Sequence, residues 1–126
     1  MQIMFSASGL LQLLERLEAA ELDAIPFGVI AMSADGNVAA YNQAEASLSG
    51  LTASRVIGRH FFTSVAPCTN NYLVAQRFET ERELDLTIDY VFTLRMAPTP
   101  VQLRMLKHPE ASRMYLLVQR RSAHAA

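Results

Sequence analysis

Cysteine is nearly absent from this chain: Cys68 is the only one among 126 residues. A single thiol excludes an intrachain disulfide. With only three scattered histidines (His60, His108 and His124), it also leaves no ligand spacing for a metal cluster. A reducing, cytoplasmic setting is the expectation. Neither sign of charge is in excess: 11 Lys and Arg stand against 12 Asp and Glu, for a net charge of -1. That balance excludes recruitment to nucleic acid or to an anionic membrane by bulk electrostatics. No apolar run approaches the length of a membrane span. The N-terminus lacks the basic start and long apolar segment of a secretion signal. There is no internal repeat and no low-complexity tract.

What remains is the composition of an ordinary globular protein, 51% hydrophobic and 18% charged, long enough for one domain with a real core. Leu10, Leu13, Leu14 and Leu17 recur at helical spacing, with Gln12, Glu15, Arg16 and Glu18 on the other face and Ser8 as the expected N-cap. A second short turn is expected over Glu21 to Ala24. Residues 1–25 thus read as an amphipathic cap that must lay its leucines on something. Residues 26–121 read as the core, and 122–126 as a flexible tail.

Within the core, Phe27 to Met32 and Val38 to Tyr41 read as strands joined by the turn Ala34-Asp35-Gly36-Asn37. Asn42 can cap a short helix, with Glu45 three residues on and Ser49-Gly50 at its end. Another turn opens at Thr52 or Ser54 and stops at Gly58. A helix is expected from Asn70 or Asn71 that takes Leu73, Val74 and Phe78 inward. Leu84 to Arg95 alternates as a long strand, with Leu86, Ile88, Tyr90, Phe92 and Leu94 on one face. Met96 to Thr99 is a loop. Pro100 to Lys107 and Arg113 to Arg121 are further strands, turned at His108-Pro109-Glu110. Strands and helices segregated in this way predict an α+β protein, an antiparallel sheet with short helices on its faces.

Taken alone, Cys68 fits a small buried hydrophobe. A cysteine hydrolase needs a histidine base and an orienting group, and no nucleophile motif surrounds this thiol. Pro67 before it predicts a rigid, non-helical placement. Tyr41 and Glu45 lie four apart, so a helix opening at Asn42 lets both side chains converge, with Ser49 four further on. Simpler readings stand beside this one: a strand-end tyrosine, a surface capping-box glutamate, a helix-terminal serine.

The chain resembles the photoactive yellow protein family from Phe5 to about Arg121. The resemblance rests on Pro26-Phe27-Gly28, Asp35-Gly36-Asn37, Tyr41-Asn42 with Ala44-Glu45, Val56-Ile57-Gly58 with Phe61-Phe62, Val65-Ala66-Pro67-Cys68, and Met96 with Pro98-Thr99. It implies a PAS-type fold with a five-stranded antiparallel sheet, and a blue-light photoreceptor rather than an enzyme. It also implies 4-hydroxycinnamic (p-coumaric) acid bound to Cys68 as a thioester. Tyr41 and Glu45 would hydrogen-bond its phenolate, and Ser49 would support the tyrosine where relatives usually have threonine. Ile30, Phe61, Val65, Ala66, Thr69, Phe92 and Val118 match pocket positions. Met96 matches a methionine that assists thermal return.

A buried phenolate needs donors, and a carboxyl beside an anion stays protonated and can give one. Light-driven isomerisation with proton transfer from Glu45 would then release the cap as the signal. The expected partners are the chromophore and a downstream signalling protein, with the chain a monomer or weak dimer. Leu51 stands where many relatives carry an arginine that screens the chromophore, so that gate is absent or replaced. Leu94 replaces a common aromatic, and Asn70 to Tyr90 runs a few residues short. Two other functions are weighed: a PAS ligand-sensing or protein-interaction module without the chromophore, and a cysteine-dependent acyl-handling enzyme.

Overall fold

In the computed structural model, residues 3–93 and 98–121 are described. Strands β1 (Gly28–Met32) and β2 (Val38–Tyr41) form the first hairpin, and β3 (Leu84–Phe92), β4 (Thr99–Lys107) and β5 (Met114–Arg120) come after the helices. The sheet order is β2-β1-β5-β4-β3, antiparallel throughout. The returning β5 slots between β1 and β4, so the two ends of the core close on one another. Gly36 at φ 86 makes the hairpin turn, a conformation that side chains beyond glycine rarely adopt.

The middle strands explain why their sequences do not alternate between apolar and polar. Every residue of β1 is buried. Ile30 and Met32 join one hydrophobic cluster, while Val29 and Ala31 join a second on the opposite face. β5 divides the same way, with Met114, Leu116 and Val118 in the first cluster and Tyr115 and Leu117 in the second. Edge strand β3 does alternate: Leu86, Ile88 and Tyr90 are half-buried between exposed Asp85, Thr87, Asp89 and Val91.

Helices α1 (Leu10–Leu14) and α2 (Ala19–Asp23) cover the second cluster, and α3 (Gln43–Ser49), α4 (Ala53–Val56) and α5 (Ala75–Thr80) flank the first. Helices this short are marginal alone, so burial must hold them. In α1 the buried leucines are Leu10, Leu11 and Leu14, while Leu13 and Leu17 are half-buried. The buried stripe is rotated from the expected one toward Leu11, and α1 opens one residue late. Its N-cap is Gly9 at φ 68, with no side-chain cap, and not Ser8. Glu18 and Glu21 make a reciprocal capping box at α2.

Three further expectations are corrected. Asn71 does not begin a helix. Its side chain accepts from the Leu73 and Val74 amides at 3.0 and 3.1 Å, and α5 starts later, at Ala75. Pro67 does not make Cys68 non-helical. It is the first residue of a 3-10 turn, Pro67–Thr69, where its missing N–H costs nothing. A wide π-type turn, Phe61–Val65, precedes it where the sequence pattern predicts no helical element. Leu94, Arg95, Met96 and the 122–126 tail lie outside the described residues.

Candidate functional site

Tyr41 pairs with Ile30 across the first hairpin, so both side chains emerge on the face that carries the first cluster. Asn42, the next residue, sets the path of the chain into α3. It is buried, and its Oδ1 accepts from the Val29 amide at 2.9 Å and the Glu45 amide at 3.1 Å. Its Nδ2 donates to the carbonyls of Leu22 and Phe27, both at 2.9 Å. One side chain therefore caps α3, ties it to β1 and anchors α2. Sequence marked Asn42 only as a cap. The ties across 13 and 20 residues leave no local signal.

With α3 pinned at this angle, Glu45 turns inward. It is fully buried, which overturns the surface capping-box reading. Gly28 makes room for it: a Cβ there would lie 2.1 Å from Glu45 Oε1 and 3.2 Å from Val118 Cβ. Burial pushes the Glu45 carboxyl up to about 8, with the Tyr41 hydroxyl pulling it partly back. It is thus neutral at pH 7. Even so, among the described residues neither carboxyl oxygen has a partner at hydrogen-bond distance. Buried polar groups are rarely left so, because the loss costs about 1–3 kcal/mol.

Tyr41 is buried beside it, and its hydroxyl lies 2.6 Å from Ser49 Oγ. Ser49 Oγ also accepts from the Leu51 amide at 3.1 Å. Burial, and then the Glu45 charge, raise the Tyr41 phenol above its usual range, so it stays protonated. Tyr41 and Ser49 are therefore a hydrogen-bonded pair spanning α3, with the buried Glu45 carboxyl beside them and not bonded to either.

The remaining predicted positions fall around the same core. Ile30, Tyr41, Phe61, Val65, Ala66, Phe92 and Val118 all belong to the first cluster, and Cys68 packs against it from a half-buried position. Thr69 is buried, but its hydroxyl donates to the Ala66 carbonyl at 2.7 Å, which closes the turn rather than lining a pocket with a free donor. Leu51 also packs against the cluster, filling its place with apolar surface. Met96 lies outside the described residues. Sequence reasoning missed Gly28, whose role needs the position of α3. It also missed Tyr90 and Asn71, which meet at the Cys68 carbonyl. Among the described residues no group of three or more His, Cys, Asp and Glu is placed to hold a metal, and no helix is long and apolar enough to cross a membrane.

Comparison with known proteins agrees with this architecture. A family model described as the PAS fold matches residues 17–121. Photoactive yellow protein from Rhodothalassium salexigens is 34% identical over 104 residues, 80% of this chain and 83% of that protein. The one from Halochromatium salexigens is 35% identical over 103 residues, 79% and 82% of the two chains. Among solved structures, the photoactive yellow protein domain of the sensor histidine kinase Ppr from Rhodospirillum centenum superposes with a TM-score of 0.80 at 40% identity, covering 87% of this chain and 99% of that one. A PAS domain of an HTR-like protein from Haloarcula marismortui, at 17% identity and a TM-score of 0.65, shares the fold alone. On these likenesses the chain belongs to the PAS fold and, within it, to the photoactive yellow protein family.

Proposed function

We propose that this PAS sensor is a blue-light photoreceptor that carries p-coumaric acid as a thioester on Cys68. The observation that supports it most is the Glu45 carboxyl, fully buried and neutral, with both oxygens unpartnered beside the Tyr41–Ser49 pair. Two neutral O–H groups beside an apolar core are what a buried phenolate requires, since an anion there is costly without donors. An acyl-handling cysteine would instead need a base at sulfur. When bound, the p-coumaroyl group would supply the light-absorbing phenolate and a double bond that isomerises.

This chain's residues do the rest. Cys68 supplies the only thiol. Tyr41 Oη and the Glu45 carboxyl donate, and Ser49 Oγ orients Tyr41. Ile30, Phe61, Val65, Ala66, Phe92 and Val118 exclude water. The Glu45 proton is the transferable one, and losing it leaves a carboxylate in a core built for a neutral acid. That cost is relieved by opening a weakly held element. The cap of α1 and α2 is that element in this reading, and its release is the signal to a downstream protein. We place the chain in the cytoplasm as a monomer or weak dimer.

The test is to supply activated p-coumarate to the full chain and record intact mass and visible spectrum. A yellow product heavier by one p-coumaroyl group is expected, and Cys68→Ala should abolish both. A covalent coloured adduct on Cys68→Ala would sink the assignment. A wild-type chain that stays colourless would favour a ligand-sensing or protein-interaction module without the chromophore.

A further inference from the structure

The thiol-bearing turn is held at a point that its own backbone does not use. The Pro67–Thr69 turn closes through Thr69 N–H to Ala66 O at 2.9 Å and Asn70 N–H to Pro67 O at 3.0 Å. The carbonyl of Cys68 accepts from side chains instead. Tyr90 Oη donates to it at 2.5 Å, and Asn71 Nδ2 donates to it at 3.2 Å. The same Asn71 Nδ2 donates to Tyr90 Oη at 2.6 Å. The ring is closed. Two amide hydrogens and one hydroxyl hydrogen meet two lone pairs on the carbonyl and one on the phenol. Tyr90 reaches across from β3, 22 residues away, and its ring packs edge-on against Phe92 with centroids 6.2 Å apart. Asn71 at the same time takes the Leu73 and Val74 amides on Oδ1.

Cys68 sits between a π-type turn and α5, outside the sheet, so no strand ladder fixes it. We propose that Asn71 and Tyr90 are positioning residues that lock the Cys68 peptide plane through its carbonyl and thereby hold Sγ at the edge of the core. For the loaded protein this rests on the photoreceptor reading: a group that twists at its far end needs a fixed pivot at sulfur. The clamp itself is built only from this chain's residues and can be tested without the chromophore.

Two substitutions separate the clamp from packing. Tyr90→Phe keeps the ring against Phe92 and removes the hydroxyl. Asn71→Asp keeps the oxygen that caps Leu73 and Val74 and removes both donors to the ring. In the unloaded full chain, both variants should alkylate Cys68 with iodoacetamide roughly fivefold faster than wild type, the factor that one net hydrogen bond is worth. Amide exchange at residues 68–71 should rise with it, while melting temperatures fall by no more than a few degrees. After loading with activated p-coumarate, the thioester carbonyl stretching band should broaden in both variants. Alkylation and exchange unchanged in two folded variants would overturn the clamp. So would alkylation that follows global unfolding in its urea dependence, which would make the pair merely structural. Faster alkylation in the variants of a chain that never takes up p-coumarate would support the clamp and count against the photoreceptor reading alone.

Discussion

At the scale of single residues, Glu45 is buried with neither carboxyl oxygen partnered, and Gly28 is what accommodates it. A Cβ at residue 28 would collide with Glu45 Oε1 at 2.1 Å, so Gly28→Ala must push either β1 or the carboxyl aside. A loss of about 1–3 kcal/mol is expected from such overpacking, measured by urea unfolding. An unaltered stability would mean that the carboxyl has room to move. Glu45→Gln tests the other side of the same contact. It keeps a donor but gives a weaker one, which stabilises the ground-state anion less. Loaded protein should therefore absorb at longer wavelength. A spectrum identical to wild type would remove Glu45 from the chromophore site.

At the scale of elements, the cap is fastened by more than leucines. Arg104 on β4 is buried and forks onto Asp85 through Nε and Nη2 at 2.8 and 2.9 Å. Its Nη1 donates to the carbonyls of Phe5 and Ala7 at 3.0 and 2.7 Å. At the far end of α1, Glu15 accepts from the Ser112 amide at 2.7 Å, the Ser112 hydroxyl at 2.9 Å and the Tyr115 hydroxyl at 2.8 Å. Burial works to raise the Glu15 carboxyl, but these hydrogen bonds together hold it below the usual range. A depressed carboxyl stabilises the fold only while ionised, so this latch is fully made above the ordinary glutamate range and is lost as acid protonates it. Arg104→Leu would strand two carbonyls, so a cost of about 1–3 kcal/mol is expected. Amide exchange should then rise over residues 5–14 while β5 stays protected. Equal exchange in both segments would mean that the cap is not a separable unit.

At the scale of the whole molecule, the buried Glu45 carboxyl makes stability depend on pH. The folded chain holds the Glu45 proton up to about 8, whereas the unfolded chain releases it near 4.5. The folded state therefore binds more protons between these limits, and stability falls as pH rises through that window. The loss amounts to several kcal/mol at about 1.4 kcal/mol for each pH unit. Unfolding of the unloaded chain, monitored from about pH 5 to about pH 8.5 to span that window, should show this decline, and Glu45→Gln should flatten it. A wild-type chain equally stable across the range would show that Glu45 ionises freely.

The hairpin turn at Asp35-Gly36, the caps at Asn42 and Gly50 and the alternation of β3 are local signals, written in neighbouring residues and dictated by backbone sterics and periodicity. They were legible without a fold, as was the order of strands and helices that predicted the antiparallel sheet. The pairing of Tyr41 with Glu45 was legible only as a spacing, and Cys68 only as a lone thiol in a run shared with the family. Tertiary structure decided the rest. It placed β5 between β1 and β4, which buries both faces of the middle strands and erases their alternation. It turned Glu45 from a surface cap partner into a buried acid, because Asn42 ties α3 to β1 and Gly28 leaves the space. It brought Tyr90 to the Cys68 carbonyl, which Asn71 reaches locally from three residues on, and Arg104 to the cap. Each of these contacts joins residues or elements remote in sequence, and no propensity or period of a single element encodes where another will lie.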